Sequence, residues 1–250
     1  MVLPADKVAK QTKARAGVIL GRLTRRYPSI GTALAYRDPF QLLVATIISA
    51  QTTDENVNRV TPELFRRWPT PQTLARARPA EVEAVLYPTG FYHQKTRAAI
   101  GVSAALVERF AGVVPSSIEE LVSLPGVGRK TASVVLAEAF GEPAIAVDTH
   151  VRRLANRLGL SASADPAVIE MDLRSLFQRR RWGGVSMRVI QFGREVCFAR
   201  RPNCQGCELN DVCPYPAKTP PSPEQKAASP SSLAATKPKA PRPKPASRPR

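Results

Sequence analysis

Four cysteines fall within 17 residues, in the order Cys197-x6-Cys204-x2-Cys207-x5-Cys213, and the 250-residue chain has no others. Four thiolates at this spacing suit one tetrahedral S₄ site, filled by zinc or by an iron–sulfur cluster. Structural zinc usually arrives with two short Cys-x-x-Cys pairs, and this chain has one. A secreted disulfide scaffold would spread its cysteines to close long loops. Clustering therefore predicts a metal site and a reducing compartment.

A second set of candidates surrounds Leu124-Pro-Gly-Val-Gly-Arg-Lys-Thr-Ala132. Gly126 and Gly128 permit unusual backbone angles and remove side chains that would hold a ligand away. The turn presents backbone N–H groups from Gly126, Val127, Gly128 and Arg129 at a positive helix end, a phosphate site that reads no base sequence. Lys130 falls in the first turn of the following helix. A helix N-terminus and adjacent Arg129 both disfavour the ammonium form, and a neutral amine is a nucleophile suited to Schiff-base chemistry. Binding phosphate is the other role open to such a lysine. Asp148, in Ala146-Val-Asp-Thr-His150, immediately precedes another helix. Capping that helix is its strongest local preference, and a capping carboxylate, being fixed in orientation, is compatible with a chemical role as well. A lone histidine is most often a structural hydrogen-bonder, and His150 is assigned that role.

The elements that must position these residues read as helices throughout. Phe40 to Ala50 is apolar on all faces, as in a fully buried helix. Residues 95–110 place apolar side chains at helical spacing. Ser116 followed by Glu119 forms a capping-box pattern for a short helix through Leu121, ahead of a second helix from about Arg129 to Phe140. Arg152 to Leu158 is helical and stops at Gly159. Asp165-Pro166 is an N-cap and first-turn proline for a helix carrying Ile169, Leu173, Leu176 and Phe177. No period-two strand pair or internal repeat occurs, so the fold class is all-α.

Charge is concentrated at the ends. The formal net charge of +17 divides into +6 over residues 1–31, +4 over 32–217 and +7 over 218–250. Such a distribution points to a polyanionic partner, most commonly nucleic acid. Residues 218–250 are rich in Pro, Ser, Ala and Lys/Arg and cannot bury enough apolar surface to order themselves, so a disordered basic tail is expected. The longest apolar run, Leu42 to Ala50, has nine residues. That is far below the ~18–20 of a membrane span, and no membrane partner is expected. The N-terminus lacks the apolar core of a secretory signal, which predicts a cytoplasmic protein.

Taken in order, Ser49-Ala-Gln-Thr-Thr-Asp54, Leu124 to Ala132, Val147-Asp-Thr-His150 and the four cysteines resemble the endonuclease III branch of the helix-hairpin-helix DNA glycosylases, over roughly residues 15–216. The resemblance implies two helical domains with the active-site cleft between them. One is a six-helix barrel over 32–142, with its hairpin at 116–140; the other joins 1–31 to 143–217 and carries a [4Fe–4S] cluster on Cys197, Cys204, Cys207 and Cys213. It implies that Lys130 attacks the sugar of a damaged nucleotide, assisted by Asp148, and that strand scission follows by β-elimination. The substrate class implied is oxidised or ring-saturated pyrimidine, or an abasic site, in duplex DNA, handled by a monomer associated with the nucleoid. An enzyme of this kind must extrude its target nucleotide. Gln51 matches the family's gap-filling glutamine and Phe91, in Gly90-Phe-Tyr92, its apolar wedge, where leucine is more common. Phe192-Gly-Arg194 stands where His-Gly-Arg is frequent.

Overall fold

The structure, a computed structural model, describes residues 5–217, with side chains from Ala9 onward. The expected basic tail lies outside the described residues. Among those described there are eleven α-helices and no strand. They are α1 (Ala5–Arg26), α2 (Pro39–Ile48), α3 (Asp54–Arg67), α4 (Pro71–Ala75), α5 (Pro79–Leu86), α6 (Tyr92–Phe110), α7 (Ile118–Val122), α8 (Arg129–Ala139), α9 (Thr149–Arg157), α10 (Pro166–Leu176) and α11 (Trp182–Glu195).

Local chemistry sets most of the helix starts. Asp38, Thr53, Asp148 and Asp165 each accept a hydrogen bond from a first-turn amide, and Pro39 and Pro166 supply the preset φ of a first helical residue. The capping serine of α7 is Ser117, whose Oγ accepts from the Glu120 amide at 3.2 Å, one residue beyond the expected Ser116. Tandem serines and tandem glutamates make the pattern ambiguous by one residue. Leu121 and Leu124 are buried in the first core. Helix α2 is buried along nearly its whole length, as expected, but ends at Ile48, not Ala50.

Two hydrophobic cores form. The first takes side chains from Leu34 to Ala144, with α2 packed against α6 and α8 at its centre. The second joins Ala16, Ile19, Leu20 and Leu23 of α1 to residues between Ile145 and Leu209. Each fully buried Leu or Ile contributes about 1.5–3 kcal/mol. The chain crosses from the first core to the second between Ala144 and Ile145, and the Ala146 amide donates to the buried Ser186 Oγ of α11 at 2.9 Å. That bond holds the crossing segment two residues before Asp148. On the return side, Arg188 donates to the carbonyls of Tyr27 (3.0 Å) and Pro28 (3.2 Å), just after α1.

Candidate active site

Helix α8 begins at Gly128, which has extended backbone angles and no side-chain cap. A Cβ added at Gly128 would meet no atom within 4 Å, so this helix end is open. Gly126 is required on two counts. Its φ is +75°, and an added Cβ would come within 3.1 Å of the Ala98 Cβ. Val127 contributes only backbone to the surface: its side chain is buried in the first core, and its amide donates to the Leu124 carbonyl at 3.2 Å. Lys130 is exposed at the second position of α8. Arg129, beside it, is held at the protein surface. Its Nε donates to Glu170 Oε2 at 2.6 Å and its Nη2 to Oε1 at 3.0 Å. The bidentate pair joins the hairpin to α10, and hence the first core to the second.

Asp148 is the N-cap of α9, its Oδ1 accepting from the Val151 amide at 2.8 Å. The cap fixes the carboxylate at the point where the chain enters the second core. His150, in the first turn of α9, takes a structural place between helices. Its Nδ1 lies 3.1 Å from Arg153 Nη2. Burial holds the imidazolium form below its ordinary range, with Arg153 and Arg194 acting in the same sense and Asp148 opposing. A Cβ at Gly193 would sit 3.0 Å from His150 Nδ1, so glycine lets α11 approach.

Gln51 and Phe91 occupy exposed turns of the same strained type. Among the described residues only Gln51, Phe91, Ala111 and Arg201 are non-glycine residues at positive φ. Backbone strain of this kind costs of order 1–3 kcal/mol and persists where surrounding structure enforces it. For Gln51 (φ +54°), Ser49 Oγ donates to the Thr46 carbonyl on one side and Thr53 caps α3 on the other. For Phe91 (φ +50°, 60% exposed), the clamp is a buried lysine that sequence reasoning did not single out. Lys95 Nζ donates to the Thr89 carbonyl at 2.8 Å, and burial pulls its ammonium form down.

The four cysteines line one pocket between the end of α9, the end of α11 and the loop that follows. None is in a disulfide. Burial pushes the Cys207 thiol up to about 12, with the other three cysteines adding to the shift and the Leu209 amide opposing it. Arg157, another residue missed from sequence, organises the loop. Its Nη1 lies 3.3 Å from Cys197 Sγ and 2.7 Å from the Phe198 carbonyl, and its Nη2 reaches the Ala199 carbonyl at 2.9 Å. Phe192, where the family often has histidine, is buried against this cavity.

The arrangement has close counterparts among known proteins. The family model for HhH-GPD superfamily base excision DNA repair proteins matches residues 44–179, from α2 through the hairpin and α9 to the end of α10. The endonuclease III of Synechocystis sp. is 49% identical over 203 residues, covering 81% of this chain and 93% of that protein. The endonuclease III of Thermotoga maritima is 42% identical over 178 residues, covering 71% and 84%. Among solved structures, a non-covalent endonuclease III–DNA complex matches with a TM-score of 0.78 at 39% identity, covering 81% of this chain and 95% of that one. A trapped endonuclease III–DNA covalent intermediate matches equally well, over 96% of its chain. A thermostable thymine-DNA glycosylase, at 21% identity and a TM-score of 0.74, shares the fold. Because these matches run through both cores and the segment that joins them, the chain is a member of the endonuclease III family within the HhH-GPD superfamily of base excision DNA repair proteins.

Proposed function

We propose that this protein is a bifunctional DNA glycosylase and AP lyase that removes oxidised or ring-saturated pyrimidines from duplex DNA and then cleaves the strand 3′ to the abasic site. The observation that carries the reading is Lys130, exposed in the first turn of an uncapped helix behind a glycine turn. The two cores are read as two domains, approximately 32–142 and 1–31 with 143–217, with Lys130 and Asp148 facing the cleft between them. The protein acts as a monomer on DNA in the cytoplasm. No helix among the described residues is long and apolar enough to cross a membrane.

The hairpin amides of Gly128, Arg129 and Lys130 take a phosphate of the damaged strand, where the helix end is positive and no side chain competes. Gln51 and Phe91 enter the duplex from their strained turns, Gln51 filling the gap left by the extruded nucleotide and Phe91 wedging the opposite strand. Lys130 Nζ then attacks C1′ of the extruded sugar. The C1′–N bond breaks, and the base leaves with its bonding electrons and a proton. Loss of the amine proton and ring opening give an imine between Lys130 and C1′. Removal of a C2′ proton expels the 3′ phosphate, and water then releases the lysine. Asp148 stabilises positive charge on the sugar and passes protons during these steps.

The donor set of the cysteine cavity fits a [4Fe–4S] cluster. Four soft sulfurs surround one largely apolar space. One short Cys-x-x-Cys pair, where structural zinc usually has two, favours the cluster over one zinc ion. Cys197, Cys204, Cys207 and Cys213 would hold it. The cluster's contribution when bound is to order the loop carrying Arg200 and Arg201, a basic surface for phosphate. Purified protein is expected to contain iron and absorb broadly in the visible; zinc without that absorbance would contradict the assignment.

The activity is tested on a duplex carrying thymine glycol, by following released base and nicked strand separately. Both products are expected from the native protein. Base release without nicking would make the enzyme monofunctional, and tight binding with neither product would make it a DNA-binding protein only.

A further inference from the structure

Arg129 looks, from sequence, like one more cation for the DNA backbone, yet its guanidinium is engaged with a carboxylate that water hardly reaches. Glu170 is 3% exposed and faces two arginines. Arg129 takes both oxygens side-on, at 2.6 and 3.0 Å, and Arg174 Nη2 approaches Oε1 at 2.9 Å. Arg174 is itself stacked over the Trp182 ring, 4.8 Å from its centroid. A fork-to-fork pair has one geometry, unlike a point-charge contact. It therefore fixes the orientation of the residue that makes it, and that residue is covalently joined to Lys130.

We propose that Glu170 is a positioning residue for Lys130: through Arg129 it locks the first turn of α8 onto α10, and it withdraws the Arg129 guanidinium from phosphate binding. The inference rests on the reading of Lys130 as the nucleophile. Base release depends on the placement of the amine at a sugar carbon, and a displacement of about 1 Å can cost ~100-fold in rate. Binding of DNA, made by backbone amides and other cations, has no such dependence on this pair.

The test compares the native protein with Arg129→Lys, Arg129→Ala and Glu170→Gln on a thymine-glycol duplex, measuring single-turnover base release and the salt dependence of binding. Lysine keeps the charge of Arg129 but not its fork. Positioning predicts that all three variants slow base release by about 10–100-fold while the slope of log affinity on log salt stays native in both Arg129 variants; Glu170→Gln, which frees the Arg129 guanidinium, leaves the slope native or steepens it by at most about 0.9. A phosphate contact predicts the reverse: Arg129→Lys behaves as native, and Arg129→Ala reduces the slope by about 0.9. That result overturns the proposal. The bridge has a second readout that needs no activity. In thermal melts, the Arg129→Ala/Glu170→Gln double variant is expected to be no less stable than the weaker single variant, and fully additive losses would show that the two side chains do not act together. If native protein binds DNA but releases no base, the Lys130 reading has failed and with it the positioning claim, while the melts still decide the bridge.

Discussion

The starts of α8 and α9 are built from opposite materials. Helix α8 opens on glycine, carries no capping side chain and leaves its first amides uncapped at the surface. Helix α9 opens on Asp148, whose carboxylate is turned back onto the Val151 amide. One end is left without an anion of its own. The other has its own anion, held in place by the helix it starts. On the function proposed above, the difference would give the two helix ends separate tasks: α8 to receive phosphate and present an amine, α9 to aim a carboxylate at the charge that develops.

Three changes break or sharpen this contrast. The largest effect is expected from Asp148→Asn, since asparagine caps as well as aspartate but carries no charge. Base release is predicted to fall by about 10²–10⁴-fold with binding of an uncleavable duplex unchanged; equal losses in both would show that the carboxylate only holds the fold. A smaller and opposite pair of effects is expected from Gly128→Asp, which writes the α9 solution into α8. The position is open and already extended, so the new carboxylate caps the helix and raises stability by a few tenths of a kcal/mol, about the Asp-over-Gly preference. By occupying the amides and repelling phosphate it weakens DNA binding by roughly tenfold, about one charge-assisted contact. Thermal melts and binding titrations on one preparation check both signs; binding that tightens or is unchanged removes the phosphate from the hairpin. The smallest effect belongs to Asp148→Ala compared with Asp148→Asn, an added stability loss of about 1 kcal/mol for the missing cap, read as a lower melting temperature.

What could be read from sequence follows the range of the interactions. The Asp148 and Asp165 caps, the glycine turn of the hairpin and the stop at Gly159 depend on neighbours a few residues away, and each stands where local chemistry places it. The Ser117 cap shows the limit even at short range: the capping-box spacing pointed to Ser116, and with serines and glutamates in tandem the cap falls one residue later. The early end of α2 has a similar origin, since the turn bearing Gln51 is fixed by bonds on both sides. Partners far apart in the chain were not legible. Arg129 meets Glu170 across 41 residues, and Arg157 reaches Cys197 across 40. Each charged residue alone looks like solvated surface. The buried Lys95 was hidden for a different reason: its partner is only six residues away, but a lysine in a helix's first turn ordinarily reads as solvated, and only the packing that buries it turns its ammonium onto the Thr89 carbonyl.

Borohydride trapping on a thymine-glycol duplex, comparing native protein with Lys130→Ala, bears most directly on the role of α8. The expected result is a covalent protein–DNA adduct from the native protein and none from the variant, with the variant still binding the duplex and retaining the visible absorbance of its cluster. An adduct that survives Lys130→Ala would place the nucleophile elsewhere, and base release with no adduct from native protein would contradict the imine itself.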